Sequence, residues 1–158
     1  MKISILATRN LTDETHYRQL RQEIMERMSP FCWTFHDDDD ETTIVQEATE
    51  TIELHHGGEG AAKLHVERIA EELGATVVAH APNWKLHGRA AGPLRGKSLV
   101  AAGDLVIALW DGKSPGTCNE IKQATRQGKE LVVLLASEQG MPYPGMFAHN
   151  RTLHIRAR

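Results

Sequence analysis

Residues Met1 to Ala7 (MKISILA) are short, apolar and isoleucine-rich, the pattern of a first strand. Tyr17, Leu20, Ile24 and Met28 then recur at spacings of 3, 4 and 4, one face of an amphipathic helix that Ser29-Pro30 ends. Phe31 to Phe35 reads as a short strand, and the acidic run Asp37 to Glu41 as a solvent-exposed loop. That run lacks the glycine and alternating spacing of a calcium loop, so a charged loop is the better reading than a cation site. Thr51 to His56 is a second strand, ending at Gly57-Gly58. Ala62, Val66, Ile69 and Leu73 mark a second helix, with Gly74 as its stop. Thr76 to His80 is a third strand, Pro82 to Gly92 a loop, and Pro93 to Ala102 a short helix with proline in its first turn. Asp104 to Trp110 is a fourth strand, apolar enough for burial on both faces. Gly116 to Gln127 is a helix closed by Gly128, Leu131 to Ala136 a fifth buried strand, and Thr152 to Ile155 an edge strand.

Strands alternating with helices, with continuous apolar runs in the later strands, predict an α/β fold. The expected form is a Rossmann-like three-layer sandwich with a mainly parallel central sheet, a single domain over 1–158. Ligands of such sheets sit at the carboxyl ends of strands, near the topological switch point. The loops to inspect are therefore Thr8 to Asp13, Gly57 to Gly60, Pro82 to Gly92 and Asp111 to Thr117.

Composition sharpens this little. The 158 residues are 41% hydrophobic and 25% charged, with a formal net charge of −3, which excludes a disordered chain and argues against general nucleic-acid coating. Two cysteines, no apolar run of about 18 residues and no signal-peptide cleavage pattern lead to the expectation of a reduced, cytoplasmic chain without a membrane span. The average hides an asymmetry: residues 1–79 carry −9 and residues 80–158 carry +6. No acid lies between Glu72 and Asp104, where Lys85, Arg89, Arg95 and Lys97 fall. That stretch suits an anionic ligand or a solvated basic face.

Each loop carries a functional and a structural reading. Gly57, Gly58 and Gly60 let backbone amides approach a phosphate at a helix start, or simply make a tight turn. The third glycine of the dinucleotide fingerprint is Lys63, and no acid in 76–81 awaits a ribose, which disfavours a standard nicotinamide site. Pro93 as helix start would place Arg95 in the first turn, against the helix dipole, a conflict that an anion bound there removes. Thr117-x-x-Glu120 fits a capping box, so capping and catalysis weigh equally for Glu120. Nine histidines show no metal-ligand spacing, and neither a metal nor a cofactor is expected. Trp84 stacks on a base or covers a sheet edge. Cys118 has no histidine in a defined relation to it, so a thiol nucleophile is disfavoured.

Taken in order, the loops resemble the SLOG superfamily, most closely its YspA-like (cpYpsA-related) branch and more distantly the Lonely-guy phosphoribohydrolases. The resemblance rests on Ala7-Thr8-Arg9 with Asp13, on His56-Gly57-Gly58-Glu59-Gly60-Ala61-Ala62, on Trp84, on Gly88-Arg89-Ala90-Ala91-Gly92-Pro93-Leu94-Arg95-Gly96, and on Gly116-Thr117 after the strand ending at Trp110. It covers roughly residues 2–136, and Gly116-Thr117-Cys118-Asn119-Glu120 matches the Lonely-guy Gly-Thr-x-x-Glu motif.

The resemblance implies a binding site for a nucleotide or nucleotide-derived phosphorylated ligand, formed by Thr8, Arg9, Gly57, Gly58, Gly60, Trp84, Arg89, Gly92, Gly116 and Thr117. It implies Arg95 and Glu120 as a catalytic pair if the chain hydrolyses an N-glycosidic bond. Departures from the pattern bear on ligand choice and turnover: Glu59 stands where an arginine is expected, Ala62 replaces an aspartate, Ala7 a glycine, and Asp111 to Pro115 replace a Pro-Gly-Gly. Three functions remain: a sensor or sequestering domain, a nucleoside 5′-monophosphate N-glycosidase, and a DprA-like DNA-handling protein. The last lacks a winged-helix segment and a strongly basic surface. The expected partner is a nucleotide-derived small molecule, and a homo-oligomeric state is left open.

Overall fold

The computed structural model describes residues 1–28, 33–38, 41–46, 51–136 and 153–157. Their order is β1 (Lys2–Ala7), α1 (Glu14–Met28), β2 (Trp33–Asp38), β3 (Glu41–Gln46), β4 (Glu53–His56), α2 (Gly60–Leu73), β5 (Thr76–Ala79), α3 (Trp84–His87), a 3₁₀ turn (Gly88–Ala90), α4 (Ala91–Ala102), β6 (Leu105–Trp110), α5 (Pro115–Arg126), β7 (Glu130–Leu135) and β8 (Leu153–Ala157). Six strands form one parallel sheet in the order β5-β4-β1-β6-β7-β8. The architecture is the expected Rossmann-like α/β sandwich.

The side-chain alternation of each strand builds the two outer layers. Ile3, Ile5, Leu54, Leu105, Ile107 and Leu109 face one side, against Tyr17, Leu20 and Ile24 of α1 and Val66 and Ile69 of α2. Leu6, Val106, Ala108, Trp110, Leu131 and Val133 face the other, against Leu99 and Val100 of α4 and Ile121 and Ala124 of α5. Successive residues of β6 thus enter opposite layers, and all six are buried. Gly74 closes α2 in the left-handed conformation at φ 67°, as its position implied.

Chain order reverses at β1. After β1 the chain runs outward through β4 and β5; it then returns to β6 on the other side of β1. The crevice between the carboxyl ends of β1 and β6 is therefore the switch point at which this class of sheet binds ligands. The two ends are tied together: the Thr8 amide donates to the Leu109 carbonyl at 2.9 Å.

Three local expectations are corrected. Residues Trp84 to Ala90 are helical rather than loop, and α4 starts at Ala91, so Pro93 is its third residue. The Asn83 side chain caps α3 by accepting the Leu86 amide, a start signal that set the coil two turns early. The strand expected at Phe31 to Phe35 is instead Trp33–Asp38, paired antiparallel with Glu41–Gln46. Asp37, Asp38 and Glu41 thus lie on strands, because the β-branched partner run Thr42 to Val45 outweighs the poor strand propensity of aspartate. The helix stop at Ser29-Pro30 lies outside the described residues. Among the described residues no helix is long and apolar enough to cross a membrane.

Candidate functional site

A cavity of about 430 Å³ opens at the switch point. That volume lies in the range of small-molecule sites, roughly 300–1,000 Å³. Its walls come from the end of β1 (Ile5, Leu6, Ala7), Arg9, the turn before α2 (Gly57, Glu59), α4 (Gly92, Pro93, Arg95, Gly96, Leu99) and α5 (Ser114, Pro115, Gly116, Thr117, Asn119, Glu120, Gln123). Four separate chain segments converge there, and the apolar walls carry two arginines and two glutamates.

Arg95 projects from the second turn of α4. Because the 3₁₀ turn feeds directly into α4, Arg95 stands beyond the first turn, where the helix dipole has largely faded. The dipole conflict expected from the sequence is absent; contacts fix Arg95 instead. Its Nη1 donates to the Gly57 carbonyl at 2.9 Å, and its side chain is only 18% exposed. Gly57 makes this approach possible, since a Cβ there would lie 2.7 Å from Nη1. The Arg95 Nε is buried without a hydrogen-bond partner, and Nη2 lies 3.8 Å from Glu120 Oε1. Apart from that ion pair, the Nε–Nη2 edge, the side on which guanidinium binds an oxyanion with two parallel bonds, carries no hydrogen bond.

Glu120 reaches Arg95 from α5. The closeness of the two helices depends on Gly96, where a Cβ would lie 3.0 Å from Glu120 Cγ. Burial holds the Glu120 carboxyl above the usual carboxylate range; Arg95 opposes that shift and Glu59 adds to it. The capping-box alternative for Glu120 is not realised. Ser114 is the N-cap, so Thr117 is the third helical residue and Glu120 the sixth. The Thr117 hydroxyl lies 3.4 Å from that of Thr8 rather than bonding its own helix start.

The start of α5 is organised by Asp111, which sequence reasoning did not single out. Its Oδ1 accepts the amides of Lys113 (2.9 Å) and Ser114 (2.7 Å), and its own amide donates to the Thr8 hydroxyl at 3.3 Å. The aspartate-glycine-x-serine sequence at a strand end was the available signal. Pro115 has no N–H, and the first helical bond runs from the Cys118 amide to the Ser114 carbonyl. Among the described residues the Gly116 and Thr117 amides have no hydrogen-bond partner, at the positive end of a 12-residue helix.

The glycine turn is differently committed. Gly58 and Gly60 adopt φ of 85° and 63°. The Gly58 amide donates to His56 Nδ1 at 2.9 Å, and the Ala61 amide to the Arg9 carbonyl at 3.0 Å. Two donors that a phosphate would need there are already used. His56 is buried, which pushes its pKa below the usual 6.5 despite nearby Glu67.

Of the residues singled out from sequence, Arg9, Gly57, Gly92, Arg95, Gly116, Thr117 and Glu120 line the cavity. Thr8, Gly58 and Gly60 are not among its lining residues. Trp84 is 56% exposed, close to Gly92 at the rim, and Arg89 is exposed on the 3₁₀ turn; neither lines the cavity. The early start of the coil at Trp84 carries both outward. Among the described residues no cluster of His, Cys, Asp and Glu could hold a metal ion.

TM1055, solved by X-ray crystallography as a structural-genomics target, matches over 99% of this chain and 91% of its own, with a TM-score of 0.56 and 18% identity. The shared fold is Rossmann-like. At that identity the likeness speaks to architecture alone. No protein-family model matches the chain, and no curated protein matches its sequence.

Proposed function

We propose that the protein binds a nucleotide or nucleotide-derived phosphorylated ligand in this cavity, as a sensor or sequestering domain of SLOG type. The observation that carries the reading is the pairing of unpartnered Gly116 and Thr117 amides with the Arg95 guanidinium in one cavity at the switch point. A phosphate there gains the helix-start donors and the Nε–Nη2 edge of Arg95, while base and ribose take the apolar walls. The glycine turn serves as the support of Arg95, through the Gly57 carbonyl, rather than as the phosphate cradle.

A panel of nucleoside mono- and diphosphates and ADP-ribose, read by thermal shift, tests this. A ligand present at 100 times its Kd stabilises the folded state by about 2.7 kcal/mol. The wild type shifts with at least one phosphorylated ligand, and Arg95→Ala loses most of that shift. Equal shifts in both proteins would remove Arg95 from the phosphate site.

A second reading has its own support. Glu120 is freed from capping, made a stronger base than an ordinary glutamate by burial, and placed beside Arg95. In N-glycosidic hydrolysis the C1′–N bond breaks, its electron pair leaves with the base, and water adds to C1′. Ionised Glu120 would accept the water proton, face the positive charge developing at the sugar, and return that proton to the departing base. Free base released from a nucleoside monophosphate distinguishes this reading from binding alone.

A further inference from the structure

The carboxylate of Glu59 bridges the two cavity arginines on the Nη1 side of Arg95, next to the Nε–Nη2 edge assigned to the phosphate. Its Oε1 accepts from Arg9 Nη2 at 2.9 Å and from Arg95 Nη1 at 3.5 Å. Glu59 stands at the N-cap position of α2, yet its side chain does not cap that helix. It turns into the cavity wall instead. Among the described residues Glu59 is the sole side-chain partner of Arg9, which is 75% exposed, whereas Arg95 is pinned by the Gly57 carbonyl. One oxygen thus joins an exposed cation to a largely buried one.

We propose that Glu59 is a resident counter-ion, which the ligand's phosphate displaces from both arginines on binding. The inference rests on the phosphate reading above and adds how that site is regulated. A carboxylate carries one negative charge, whereas a phosphomonoester, with its second pKa near 6, carries roughly 1.5 to 2 at pH 7. Exchange of one for the other therefore favours a phosphomonoester end, and Glu59 suppresses occupation by weaker anions. Arg9, released from Glu59, is free to follow the phosphate.

The test is titration calorimetry with adenosine 5′-monophosphate and with inorganic phosphate, on wild type, Glu59→Gln, Arg95→Ala and the double variant. Melting curves of each protein check folding. Glu59→Gln tightens binding of at least one probe by tenfold or more, and the gain disappears when Arg95 is also replaced. Unchanged or weaker binding by Glu59→Gln overturns the inference while leaving the phosphate site intact, provided that Arg95→Ala still weakens the wild type. A gain that persists in the double variant also overturns it, since it would reflect general charge rather than competition for Arg95. Absence of binding to wild type and Glu59→Gln alike defeats the phosphate reading and this inference together.

Discussion

Glu120 Oε1 lies 3.8 Å from Arg95 Nη2, with the two side chains 16% and 18% exposed. Burial dominates over the attraction to Arg95, so the Glu120 pKa is raised above 4.5 in the folded protein. The folded state then binds more protons than the unfolded state just above pH 4.5, and stability falls as pH rises through the raised value. Glu120→Gln removes this penalty. Its melting temperature, relative to wild type, should therefore increase from pH 4 toward neutrality. A constant difference would deny the raised pKa. If the protein releases base from nucleotides, the same variant should lose at least about a hundredfold in rate, the contribution of a general base. Unchanged turnover would place Glu120 outside the reaction.

His56 shifts in the opposite sense. Its folded pKa is depressed below 6.5, so the stability it contributes is present above that value and lost as pH falls below it. Protonation also removes Nδ1 as acceptor of the Gly58 amide. In an NMR titration the His56 ring should titrate below 6.5, and the Gly58 amide resonance should move with it. Titration of His56 at or above 6.5 would contradict the arrangement.

The elements were legible wherever one local pattern decided them. Val66 and Ile69 in α2, and the apolar run through Trp110, read correctly because burial on a helix face or on two sheet faces writes itself into residue spacing. The start of α4 was not legible, since Pro93 is compatible with the first or third helical position and Asn83 had already nucleated the coil. The bounds of the strand Trp33–Asp38 are not legible locally, because its pairing with Thr42 to Val45 overrides local propensity. Within the site, Arg95 and Glu120 could be chosen from motif and strand-end position. Their mutual contact could not, because it depends on Gly96 bringing α4 and α5 together. Glu59 read as a departure in charge; only the fold shows it joined to Arg9 and Arg95, residues 50 and 36 positions away in the chain.

Gly57 and Gly96 carry a steric prediction. A methyl group at Gly57 lies 2.7 Å from Arg95 Nη1, and one at Gly96 lies 3.0 Å from Glu120 Cγ. Gly57→Ala should displace Arg95 and weaken binding of a phosphorylated ligand. Gly96→Ala should move Glu120 and cost about 1–3 kcal/mol of stability, as overpacking does. Urea unfolding and ligand titration of both variants check this; wild-type behaviour in both would mean that the contacts are slack.

Asp111 supports the start of α5 without lining the cavity. Asp111→Ala removes the acceptor of the exposed Lys113 amide and the partly buried Ser114 amide, at a cost of about 0.5–1.5 kcal/mol, the net worth of an ordinary hydrogen bond. For a chain of this size each kcal/mol lowers the melting temperature by roughly 2–4 °C. Because the turn also sets the Gly116 and Thr117 amides, ligand affinity should fall with stability. Intact affinity in a destabilised variant would show that those amides are not used.

The most direct measurement is a crystal structure of the protein with a nucleoside monophosphate that stabilises it. Phosphate oxygens should accept from the Gly116 and Thr117 amides and from the Arg95 Nε–Nη2 edge, with the sugar C1′ toward Glu120. A ligand whose phosphate lies elsewhere, away from Arg95 and the start of α5, would contradict the assignment of this cavity.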